Sequence, residues 1–172
     1  MIRFIINLYF LMIKSFFHIL GQAIMDVTYD IKYEFQLTNS AVKYFNISLD
    51  QQTLGVVSKT KAITPDWARL GFHQCQCCPL TVKDNKNCPI CLNISEIVEE
   101  FKDIKSIDKC VVQCTTPERT VFKDTDVQEG LSSILGIFMA TSDCPKMNLL
   151  KPMARFHLPF ATGEETIIRS TS

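Results

Sequence analysis

The stretch VTYDIKYEFQLTNSAVKYFNISLD, residues 27–50, decides the fold. Val27, Tyr29, Ile31, Tyr33, Phe35 and Leu37 alternate with Thr28, Asp30, Lys32, Glu34 and Gln36. A period of two puts the apolar side chains on one face of a strand and the polar ones on the other, the mark of a half-buried antiparallel strand. Thr38, Asn39 and Ser40 supply turn chemistry, and Phe45, Ile47 and Leu49 then alternate with Asn46, Ser48 and Asp50 as the returning strand of a hairpin. Leu54 to Val57 reads as a third short strand.

Downstream, the apolar period changes. Ile94, Ile97, Val98 and Phe101 predict a short amphipathic helix capped by Asn93 or Ser95. Lys109 to Thr115 alternates again, and Thr120 to Lys123 is β-prone, with Thr116, Pro117 and Glu118 as the turn between them. Thr125 and Gln128 have capping-box spacing, and Val127, Leu131, Ile134, Leu135 and Phe138 form a helical stripe ending near Ser142, stopped by Cys144 and Pro145. The tail is apolar through Leu149, Met153, Phe156, Leu158 and Phe160, but broken by Pro152 and Pro159. The expected architecture is α+β, an antiparallel sheet with helices packed on one face and a cysteine-rich, metal-stapled loop region.

That loop follows the irregular stretch opened by Pro65 and Trp67. It carries Cys75 and Cys78, then Cys88 and Cys91, two pairs that can each bite one metal ion while the polar residues between let them converge. Thiolate donors and a closed tetrahedral shell point to structural zinc. Cys77 and His73 are substitute ligands by position. A zinc deaminase would need a glutamate beside its upstream ligand, and His73, Gln74 and Cys75 offer none. Alternatively, Cys88 and Cys91, just ahead of a helix, form a redox dithiol. Cys110 and Cys114 share a strand face with Val112 and read as core. Ser132 and Ser133 lack a nucleophile elbow and read as helical serines bonding back to the backbone.

A chain of 172 residues, 47% of them hydrophobic, suits one core. Its 18 basic residues match its 18 acidic ones, so no net field draws it to nucleic acid or an anionic membrane. Eight clustered cysteines beside a sizeable core argue for reduced thiols and a cytoplasmic setting over a secreted disulfide scaffold. Residues 1–24 are apolar without an acid, and Lys14 divides them too early for a clear membrane span. They read as a signal-like segment, an anchor, or sequence upstream of a start at Met25, with residues 25–172 as the single domain.

In the tail, Arg155, His157, Glu164, Glu165 and Arg169 are ionisable groups threaded through apolar sequence, either a salt-bridged network or a site for a polar or anionic small ligand. The expected pairing joins Arg155 or Arg169 to a glutamate, with His157 bonded to backbone or a helix end. Here the chain resembles a family of uncharacterised bacterial proteins, a domain of unknown function. The residues that carry the likeness are Phe72 to Cys75, Cys78 to Leu80, Cys88, Glu118 and Arg119, Leu131 to Gly136, Ser142 to Pro145, and KPMARFHLPFATGEETIIR from Lys151 to Arg169. The resemblance implies a free-standing protein without an established activity, fixed cysteines at Cys75, Cys78, Cys88 and Cys144 with Cys91 less typical, and a short apolar continuation past Arg169. Two functions follow. One is a zinc-stabilised binding or regulatory protein, and the other an enzyme with His157 as general base and Glu164 or Glu165 as its partner.

Overall fold

The computed structural model describes residues 28–57 and 64–171; the apolar extension over 1–24 lies outside them. Alternating sequence becomes strand where expected: β1 spans Thr28–Leu37 and β2 Val42–Asp50, in register from Thr28 opposite Asp50 to Gln36 opposite Val42. The turn works because Ser40 takes a left-handed φ of 65° and Asn39 Oδ1 accepts from the Ala41 N–H, 3.0 Å. β3, Lys109–Thr115, pairs antiparallel with the other edge of β1, and β4, Thr120–Asp126, with β3, giving the order β2-β1-β3-β4. Leu54 to Val57 does not form a strand. Val56 makes one isolated bridge to Leu49, because Asp50 takes the Gln52 and Thr53 N–H groups into a turn instead.

One face of the sheet carries the core. Tyr29, Ile31, Tyr33, Phe35 and Leu37 of β1 are all buried, with Phe45, Ile47 and Leu49 beside them on β2 and Cys110, Val112 and Cys114 on β3. Burying each of the large apolar side chains contributes about 1.5–3 kcal/mol. Two helices cover this face. α1, Pro89–Phe101, starts earlier than its apolar period suggested: Cys88 is the N-cap and Pro89 sits in the first turn, where its missing N–H costs nothing. It buries Ile97 and Phe101, whose ring stands edge-on to Phe35 at 5.1 Å and stacks on Phe45 at 5.9 Å.

α2, Val127–Ala140, is capped by Asp126, whose carboxylate accepts from the Glu129 N–H at 3.0 Å, one position later than the expected cap at Thr125. Its buried face includes Gly130, where a Cβ would stand 2.7 Å from a Phe35 ring carbon and 2.8 Å from a Val112 methyl. Glycine here lets the helix lie directly on the sheet. Inward-facing lysines on the edge strands are answered by the helices, Lys43 by Glu100 of α1 at 2.5 Å and Lys123 by Glu129 of α2 at 2.5 Å. After α2 the chain makes two short turns, α3 at Lys151–Arg155 and α4 at Gly163–Thr171. Among the described residues no helix is long and apolar enough to cross a membrane.

Candidate functional site

Tyr33, at the centre of β1, ends in a phenol that a packed core must satisfy. Its hydroxyl lies 2.7 Å from Ser133 Oγ on α2 and 2.5 Å from His157 Nε2 just past α3. Ser133 Oγ in turn accepts the Phe160 N–H at 3.1 Å. That bond holds Phe160 at a left-handed φ of 58°, which costs a residue with a Cβ about 1–2 kcal/mol. Burial, followed by the nearby Arg169 guanidinium, pulls His157 down to about 4, so the imidazole is neutral at physiological pH. Burial lifts the Tyr33 phenol well above its ordinary value, so it stays protonated.

With both groups neutral, the chain is satisfied in either direction. Ser133 accepts from Phe160 in both, and either donates to Tyr33, which donates to His157 Nε2, or accepts from Tyr33, which accepts from the Nε2–H. The imidazole proton resides on Nδ1 in the first order and on Nε2 in the second. The cluster forms part of the wall of a cavity of about 300 Å³ between α2, α3 and α4. Ser133, Gly136, His157, Leu158, Thr166 and Arg169 contribute to that wall. Arg169 reaches back from α4 to donate to the Met153 carbonyl at 3.3 Å and to the Phe156 carbonyl, placing a positive charge at the carboxyl end of α3.

The five ionisable tail residues therefore part company. His157 and Arg169 share the cavity. Arg155 faces away from it, its guanidinium 3.8 Å from the Tyr29 ring centroid and 3.4 Å from Glu118, whose other oxygen accepts from Tyr29 at 2.7 Å. The acid that answers it comes from the β3–β4 turn and not from Glu164 or Glu165. Glu165 accepts the Thr162 N–H at 2.7 Å while its own N–H donates to Thr162 Oγ1, a capping box that holds its carboxyl below the ordinary range. Glu164 stands exposed in the first turn of α4. His157 is bonded to a phenol, neither to backbone nor to a helix end.

From sequence, Ser132 and Ser133 read as helical serines bonding back to the backbone and Tyr33 as a core residue of the strand, so neither Ser133 nor Tyr33 was placed in a site. Ser132 does bond back to the Gln128 carbonyl at 2.8 Å, as expected of a helical serine, whereas Ser133 does not. Its position among Gly130, Ile134 and Ile137 on the buried face of α2 was the available signal.

The cysteine loop is closed by a short antiparallel crossing, with Arg69 bridged to Asn87, Leu70 N–H donating to Lys86 at 3.0 Å and Cys88 N–H to Ala68 at 2.8 Å. Cys75 to Cys78 forms a turn, the Cys78 N–H donating to the Cys75 carbonyl at 3.0 Å. None of the eight cysteines is in a disulfide. The Cys91 thiol is pushed up to about 11 by burial and by its hydrogen bond with Cys88, with Cys75 adding to the effect, so thiols from both pairs feel one another. Among the described residues no group of three or more His, Cys, Asp or Glu side chains is gathered closely enough to hold a metal as it stands. Next to Cys88 in sequence, Asn87 Oδ1 is buried with no hydrogen-bond partner among the described residues. Cys144 is buried after α2. The Asn93 amide donates to the Phe138 carbonyl at 3.1 Å, so the start of α1 and the end of α2, with Cys91 and Cys144, lie at the same end of the helix pair.

A family model described as a domain of unknown function (DUF6901) matches residues 31–172. No curated protein and no solved structure matches the chain.

Proposed function

The chain belongs to the DUF6901 family, a domain of unknown function, and we propose that it is a zinc-stapled binding protein whose cavity between α2, α3 and α4 receives a small polar or anionic ligand. The observation that carries the binding role is the cavity itself. Polar groups of Ser133, His157 and Arg169 share its wall with apolar side chains, the usual build of a small-molecule site. A general base works best with a pKa near the operating pH, whereas burial pulls His157 down to about 4 and its Nε2 is engaged by the Tyr33 hydroxyl, which favours binding over catalysis.

Zinc is assigned to Cys75, Cys78, Cys88 and either Cys91 or Cys144. Support comes from the spacing of the two cysteine pairs and from the influence of Cys88 and Cys75 on the Cys91 thiol. The ion would draw the thiols together as thiolates and fix a loop in which, among the described residues, Ala68 and Leu70 are the buried apolar side chains. Metal analysis of the purified full chain tests this, with one zinc per chain expected and none counting against it. A second reading, in which Cys88 and Cys91 give up two protons and two electrons to an external disulfide, is favoured by their mutual hydrogen bond at the start of α1. Reversible loss of two thiols without bound metal would select it.

A further inference from the structure

We infer that the cavity between α2, α3 and α4 is a site for a small apolar monocarboxylate, its carboxylate received by Arg169 and its hydrocarbon body by the α2 and α3 walls. The inference rests on the binding role proposed above and names the ligand class. Two formal charges border the cavity, Glu129 and Arg169. Glu129 is already answered by Lys123 at 2.5 Å and by the Thr125 hydroxyl. Arg169 is answered less directly: its bonds go to the neutral carbonyls of Met153 and Phe156, it forms no ion pair among the described residues, and the Glu165 carboxylate, bonded to the Thr162 N–H, acts on it only through its field. A guanidinium held through Nη2 by two carbonyls keeps N–H donors on Nη1 and Nε, each able to give a charge-assisted hydrogen bond to a carboxylate.

The remaining wall excludes the other classes. His157, which borders the cavity and is uncharged, adds no charge that would compete with Arg169 for the head group. A cationic ligand would meet Arg169, while the nearby carboxylates are engaged, Glu129 by Lys123 and Thr125 and Glu165 by the Thr162 N–H. Ile137, Leu150 and Leu158 line the rest and suit a hydrocarbon body, and a volume of about 300 Å³ accommodates on the order of ten non-hydrogen atoms. Gly136 opens onto this space, and a Cβ there would meet nothing within 4 Å.

Octanoate, 1-octanol and octylamine present one chain with three head groups. Titration of the full chain with each, followed by the backbone amide resonances of Ser133, Phe160 and Thr166, tests the assignment. Octanoate is expected to shift these amides and to bind at least tenfold more tightly than octanol, with octylamine weakest. Gly136→Leu should abolish binding of octanoate with the fold intact. Arg169→Gln should weaken octanoate tenfold or more while leaving octanol unchanged, and Arg169→Lys should restore part of the loss. Octanol or octylamine binding at these amides as tightly as octanoate overturns the carboxylate class and leaves the binding role standing. Amides unmoved by all three probes overturn both. Equal loss of octanoate and octanol in Arg169→Gln without recovery in Arg169→Lys shows that Arg169 only holds α4, and overturns the charge pairing.

Discussion

The Tyr33 hydroxyl and His157 Nε2 lie 2.5 Å apart, joining the middle of the first strand to the segment past α3 across 124 positions of sequence. The phenol also bonds Ser133, so one side chain fastens sheet, helix and tail at a single point.

Removing that hydroxyl with Tyr33→Phe should cost about 1–3 kcal/mol, since Ser133 and His157 would both lose a buried partner. Ser133→Ala should also destabilise, because it frees the Phe160 N–H as well as the phenol. Denaturant unfolding of the two single variants and the double variant checks this. If the two hydroxyls act as one network, the double variant loses less than the sum.

His157 makes stability depend on pH. Its folded value of about 4 lies below the ordinary 6.5, so the unfolded chain binds the extra proton between those values. The stability linked to this group is complete above about pH 6.5 and is lost as pH falls through about 4. At about 1.4 kcal/mol per pH unit the loss is about 3 kcal/mol. His157→Gln should flatten the unfolding free energy in that window. Below it, both proteins should weaken further as Glu129, held low by Lys123 and Thr125, takes up its proton.

Gly130 and Gly136 occupy one helix and should respond oppositely to alanine. At Gly130 the new methyl would collide with the buried Phe35 ring and Val112, an overpacking cost of about 1–3 kcal/mol that outweighs the helix-propensity gain of about 1 kcal/mol. At Gly136 nothing opposes that gain, and Gly136→Ala should be more stable by about 0.5–1 kcal/mol. Paired thermal melts read both signs.

Strong chelator should lower the melting temperature by several degrees if zinc staples the cysteine loop. Cys91→Ser and Cys144→Ser separate the two candidates for the fourth ligand, because only the true ligand should release the metal when replaced. Cys110→Ser, in a strand well inside the core, should keep the zinc while losing some stability. An unchanged melt in chelator would count against the staple.

Alternation in residues 28–50 was enough to place the central strand, its burial and the hairpin, because a period of two is a local property of the chain. The helix over Val127–Ala140 was equally legible, though its cap moved from Thr125 to Asp126, since both residues offer an oxygen at the right place and only the register with β3 selects one. The start of α1 was missed because Cys88 to Cys91 were taken for loop chemistry, while the proline between them is at home in a first helical turn.

The inventory of the tail was also readable: two arginines, a histidine and two glutamates in apolar surroundings must find partners or water. Their partners were not readable. Glu118 reaches Arg155 from the β3–β4 turn, Tyr33 reaches His157 from β1, and Glu165 is taken by its own helix cap. The sequence by itself determined which faces are buried, because periodicity is encoded within a few residues. Only the tertiary structure decided which polar groups meet and where a cavity remains, because those pairings depend on how elements distant in the chain pack, and Gly130 sets how closely α2 can settle on the sheet.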